Sequence, residues 1–115
     1  MIGPLPEWEG GLPNVLIKRI VFDKKTDIPE RMIPQKFDKI VELDEEFRRL
    51  SRELDIVYIS PIGYLCNSEG CITRIGDKAD SLVAFDHGHL TQIGTEFFIR
   101  QIFPELGAYI SKPIK

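Results

Sequence analysis

Between residues 35 and 54 the apolar positions Phe37, Ile40, Val41, Phe47, Leu50 and Leu54 recur at three-and-four spacing, while Asp44, Glu45, Arg48, Arg49 and Arg52 take the opposite side. That periodicity predicts an amphipathic helix over 35–54. Glu45 and Arg49 stand four apart, as do Arg48 and Arg52, so the charge run reads as a solvated face. Directly afterwards the period shortens. Asp55 leads into Ile56-Val57-Tyr58-Ile59, a β-branched and aromatic run that stops at Ser60-Pro61, which predicts a buried strand. Helix followed at once by strand is half of a parallel βαβ unit.

Elsewhere the pattern is shorter. Leu12, Val15, Leu16, Ile17 and Ile20 fit a short helix behind Pro13-Asn14, with an extended alternative for Ile20-Val21-Phe22. The opening Met1-Ile2-Gly3-Pro4-Leu5-Pro6 is expected to be the end of a strand running into a loop, and its beginning looks cut off. Residues 23–34, charged and punctuated by proline, are expected to be a surface loop. Two extended runs, 71–75 and 81–85, are expected to form a hairpin across Gly76 to Asp80. A last helix is expected from Thr91, with Ile93, Phe97 and Ile102 on one side and an interruption at Pro104.

At 115 residues and 43% hydrophobic composition the chain suits one small domain, spanning residues 1–115, with a modest core. Its net charge of −3 comes from 18 acidic and 15 basic residues spread along the sequence. Nucleic acid needs a basic stripe that this distribution lacks, so it is set aside as a partner. No run of about 18 apolar residues occurs and Met1 opens no signal peptide, so the chain taken literally is expected to be cytoplasmic; an origin inside a longer protein would remove that inference. Cys66 and Cys71 flank Asn67-Ser68-Glu69-Gly70, a turn able to bring the sulfurs together. They would stay thiols in a reducing cytosol and close a small ring in a periplasm.

Chemistry concentrates in Phe85-Asp86-His87-Gly88-His89-Leu90-Thr91, between an extended run and a helix start. Loops at such junctions are where α/β folds place their sites. In a tight turn the separation of three brings the Asp86 carboxylate beside the His89 ring, fixing its tautomer so that the other nitrogen can take a proton from a hydroxyl. The plain structural alternative is that Asp86 caps the turn and His89 is a satisfied histidine. His87, beside Gly88, is expected to face solvent. A zinc site from Cys66, Cys71, His87 and His89 has suitable ligand types, but its spacing departs from the usual fingers, and neither a metal nor a cofactor is assigned. Of Ser51, Ser60, Ser68 and Ser81, none lies in a glycine-rich strand-to-helix turn that would expose and activate a nucleophile.

The order Gly3-Pro4-Leu5-Pro6-Glu7-Trp8, Ile59-Ser60-Pro61 with Tyr64-Leu65-Cys66, then Cys71, then Asp86-His87-Gly88-His89-Leu90-Thr91 and Gly94 resembles the C-terminal half of the SGNH domain fused to type 3 membrane acyltransferases. Those proteins O-acetylate bacterial surface polysaccharides. The resemblance spans nearly the whole chain. It implies an α/β fold, an incomplete flavodoxin-like three-layer domain with the C-terminal part of a parallel sheet, flanking helices and a small hairpin. It also implies that His89 is the general base, that Asp86 orients it, and that Cys66 and Cys71 match a pair that could be disulfide-bonded in a periplasmic or membrane-associated protein. The blocks carrying the nucleophilic serine and the oxyanion-hole glycine and asparagine have no counterpart here, so the chain alone is expected to be inactive. Its partners are expected to be an acylated carbohydrate and, through the incomplete sheet, further copies of itself. From a different class, the charged helix over 35–54 could instead serve a non-enzymatic interaction module.

Overall fold

Glycine and proline set the start of the first helix, α1 (Leu12–Asp23): Pro13 sits in its opening turn, where a missing N–H costs nothing, and Gly11 precedes it with φ 96°. The structure, a computed structural model, describes residues 1–25, 27–76, 81–86 and 88–110, the side chains of 106–110 excepted. Beyond α1 come β1 (Arg31–Met32), α2 (Phe37–Glu53), α3 (Pro61–Leu65), β2 (Cys66–Asn67), β3 (Gly70–Ile72) and α4 (Gln92–Ile110).

The three strands form an antiparallel sheet in the order β1-β3-β2, with Arg31 opposite Ile72 and Cys66 opposite Cys71. Among the described residues parallel pairing is confined to a bridge between Ile2 and Ile59, where Ile59 N–H donates to Met1 O and Gly3 N–H to Ile59 O. The expected parallel strand over 56–59 is thus one bridge long among the described residues. The expected loop over 23–34 contains β1. Sequence pattern misses it because a two-residue strand has no period, and its partner supplies the reason to be extended: Gly70, φ 116°, lies so close to Met32 that any Cβ would fall 2.4 Å from the Met32 carbonyl.

Cys66 and Cys71 close a disulfide across β2 and β3. α3, unforeseen in the sequence, begins at a cap: Ser60 Oγ accepts from Gly63 N–H at 2.9 Å, and Pro61 occupies the first turn. An antiparallel bridge joins Arg74 to Leu82, with Val83 N–H donating to Thr73 O, so the expected pairing of 71–75 with 81–85 is present at its described ends. The connection over 77–80 lies outside the described residues.

Trp8, Leu12, Leu16, Ile59, Leu65, Cys71, Ile72, Val83, Ala84, Phe98 and Ile102 make up the core. α4 contributes its Phe98 and Ile102 stripe, while Ile93 stays exposed, and the helix continues through Pro104 to Ile110, correcting both expectations for this element. α2 is also rotated from the expected face. Ile40, Asp44 and Ser51 are buried, whereas Leu50 and Leu54 are exposed. Asp44 is accepted inside because Tyr58 Oη donates to its Oδ1 at 2.5 Å and Arg48 reaches Oδ2 at 3.5 Å, lying 5.3 Å above the Tyr58 ring. On the outer face Arg49 bridges Glu46 and Glu53, each at 2.7 Å, in place of the expected Glu45 pair.

Candidate active site

The turn over 85–89 is drawn shut by its own backbone. Ala84 bridges Leu90 and Phe85 N–H donates to His89 O at 3.2 Å, while Thr91 N–H donates to Val83 O at 2.9 Å. Thr91 also seals the neck through its side chain: its Oγ1 donates to Leu82 O at 2.6 Å and accepts from Gly94 N–H at 3.0 Å, capping α4. Gly94 is required by packing. A Cβ there would lie 2.2 Å from the Val83 carbonyl oxygen, so only glycine lets α4 approach the strand this closely.

Within the turn, Asp86 Oδ1 accepts from Gly88 N–H at 2.9 Å and from His89 N–H at 2.6 Å, and Oδ2 meets His89 Nδ1 at 2.6 Å. The carboxylate is therefore aimed by two main-chain donors before it touches the ring. Those hydrogen bonds, the one from Gly88 foremost, outweigh the partial desolvation and hold its pKa down to about 2. At neutral pH Asp86 is an anion beside Nδ1, which fixes the Nδ1–H tautomer and places Nε2 on the far side of the ring. His89 is 71% exposed and Asp86 35%. Leu12 N–H donates to Asp86 O at 3.2 Å, so the first residue of α1 braces the turn from outside.

Two shallow clefts adjoin this turn, each of about 580 Å³, and Pro13 and Phe85 line both. Phe85, passed over in the sequence as the end of an extended run, is 60% exposed and stacks on His89 with ring centroids 5.9 Å apart and planes 17° from parallel. An aromatic directly before the acid of an Asp-x-x-His turn was the signal available for it.

The remaining sequence candidates fall elsewhere. Ser51 Oγ donates to Arg48 O, Ser60 caps α3, Ser68 lies in the turn between β2 and β3, and Ser81 is buried with its carbonyl bonded to Ile75 N–H. His87 lies outside the described residues. The disulfide removes Cys66 and Cys71 as thiolate ligands, so the four-ligand zinc alternative loses half its donors. Among the described residues no helix is long and apolar enough to cross a membrane.

No family model matches the sequence, and no curated protein matches it. A solved structure does: the periplasmic domain of a lipopolysaccharide acetyltransferase from Salmonella ser. Paratyphi A, at 36% sequence identity and a TM-score of 0.80. The likeness covers 91% of this chain and 40% of that one, so the chain spans well under half the length of the domain it matches.

Proposed function

We propose that this chain supplies the acid–base part of a serine-dependent acyl-transfer site of the SGNH type, acting on O-acetyl groups of bacterial polysaccharide, in which His89 is the general base and Asp86 its orienting partner. The single observation that carries the reading is the 2.6 Å contact between Asp86 Oδ2 and His89 Nδ1 inside a turn whose own amides aim the carboxylate. The likeness to a periplasmic acetyltransferase domain supports the reaction class, the polysaccharide substrate and the compartment, and the disulfide suits an oxidising environment.

In the reaction, a serine hydroxyl contributed by a polypeptide region other than this chain attacks the acyl carbonyl. His89 Nε2 takes the hydroxyl proton as the oxygen–carbon bond forms, and the imidazolium is stabilised by Asp86. Collapse of the tetrahedral intermediate expels the leaving alkoxide, which receives that proton. A sugar hydroxyl, or water in an esterase, then attacks the acyl-serine, giving its proton to the same nitrogen. Collapse of this second intermediate breaks the serine–acyl bond and returns the proton to the serine oxygen. By itself the chain lacks the nucleophile and the oxyanion donors, so it is inactive alone. The Ile2–Ile59 parallel bridge supports reading the fold as the C-terminal part of a flavodoxin-like sheet. Exposed Ile17, Ile20, Val21 and Phe22 on α1 support self-association.

The test mixes the chain with the serine-bearing N-terminal part of such a domain and follows p-nitrophenyl acetate hydrolysis. Hydrolysis that appears on mixing and disappears with His89→Ala is the expected result; hydrolysis indifferent to His89 would overturn the assignment.

A further inference from the structure

We propose that Phe85 is a stacking platform that seats a pyranose ring of the glycan beside His89, making the groove around it a carbohydrate subsite. The inference rests on the acyl-transfer reading and adds to it the part of the surface that holds the sugar. Val83 and Ala84 point into the core, whereas the next residue, an aromatic, is 60% exposed and lies nearly parallel to the imidazole at 5.9 Å. The exposed Phe85 ring offers a flat apolar surface directly beside the base. A pyranose presents an apolar face of C–H groups and a rim of hydroxyls, and a flat exposed aromatic next to hydrogen-bonding side chains is complementary to both.

The rim is present on either side. One cleft passes from Phe85 to Gln92 and Glu96, whose side chains meet at 3.3 Å, and the other passes from Phe85 to Asn14, whose Nδ2 donates to Gly10 O at 2.6 Å. Amides and a carboxylate held in place by such contacts are pre-organised partners for sugar hydroxyls. Pro13 borders both clefts and gives that surface a rigid edge. A sugar stacked there carries its acylated or accepting hydroxyl toward the His89 ring, the position that acyl transfer needs.

The experiment titrates the isotopically labelled chain with an O-acetylated tetrasaccharide repeat of a bacterial O-antigen at millimolar concentration and follows amide shifts. Expected are saturable shifts at residues 82–86, Asn14 and Gln92, an affinity about tenfold weaker for Phe85→Ala and Phe85→Leu, and one kept within about threefold for Phe85→Trp. Because Phe85 is exposed, the variants keep the wild-type spectrum elsewhere, and Leu separates ring shape from apolar bulk. No saturable shift at this turn, or equal affinity for wild type and Phe85→Leu, overturns the proposal. Binding needs neither nucleophile nor base, so hydrolysis indifferent to His89 with retained stacking defeats the catalytic reading alone, and His89-dependent hydrolysis without stacking defeats the platform alone.

Discussion

Two carboxylates in this molecule meet a cyclic side chain, and they are held in opposite ways. Asp44 is 5% exposed and is joined by partners brought from a distance, the Tyr58 hydroxyl at 2.5 Å and the Arg48 guanidinium at 3.5 Å. Asp86 is organised by amides of its own turn and shows a 71%-exposed imidazole to solvent. Burial with saturated partners welds α2 to the segment over 56–59. Local aim with an exposed ring leaves a positioned imidazole open to a ligand, which is the difference between a structural polar contact and a candidate site.

The comparison breaks most visibly in turnover. In a serine-bearing domain containing this region, Asp86→Asn is expected to lower kcat by about 10²–10⁴-fold, whereas Asp44→Asn leaves kcat near wild type. Steady-state kinetics on both variants check this, and equal kcat losses would erase the distinction. Gly94→Ala forces a methyl group against the Val83 carbonyl and is expected to cost about 3 kcal/mol in denaturant unfolding, disturbing the neck of the turn as well. Asp44→Ala strands the half-buried Tyr58 hydroxyl and is expected to cost about 2 kcal/mol by the same measurement.

The two sites also divide the pH axis. Asp86 has its folded pKa depressed to about 2, below its unfolded value of 3.8, so its stabilisation is complete above about pH 4 and fades as pH falls through that window. Melts from pH 2 to pH 6 are expected to show the wild type losing its advantage over Asp86→Asn toward the acid end. Tyr58 is shifted the other way: burial first, then the hydrogen bond to Asp44, raises it above the ordinary tyrosine value, so its contribution is present below about pH 10 and declines in stronger alkali. Tyr58→Phe is expected to flatten that alkaline limb, the smallest of these effects.

Residues that act through neighbours in sequence were the legible ones. The helix of 12–23, most of that of 37–53 and the Asp86–His89 turn all follow from spacing, because three- and four-residue separations fix geometry locally. What spacing cannot show is contact between distant segments. Met32 against Gly70, Tyr58 against Asp44 and Leu12 N–H on Asp86 O each join residues far apart in the chain, and each decided something the pattern missed: a short strand, the rotation of α2, a brace on the site. Proline was over-read for a different reason. Pro104 removes one main-chain hydrogen bond from α4, and the packing of Phe98 and Ile102 within the two turns before it holds the helix through it. Phe85 was legible as an aromatic and not as a surface, since exposure belongs to the fold.

Thr91 joins three neighbours at once, the carbonyls of Leu82 and Val83 and the amide of Gly94. A loop tied off at its own base carries most of its shape in contiguous sequence, so residues 82–94 form a portable cassette that lacks only the Leu12 brace. Grafted into another strand-to-helix crossover, the segment would bring its paired acid and imidazole along intact.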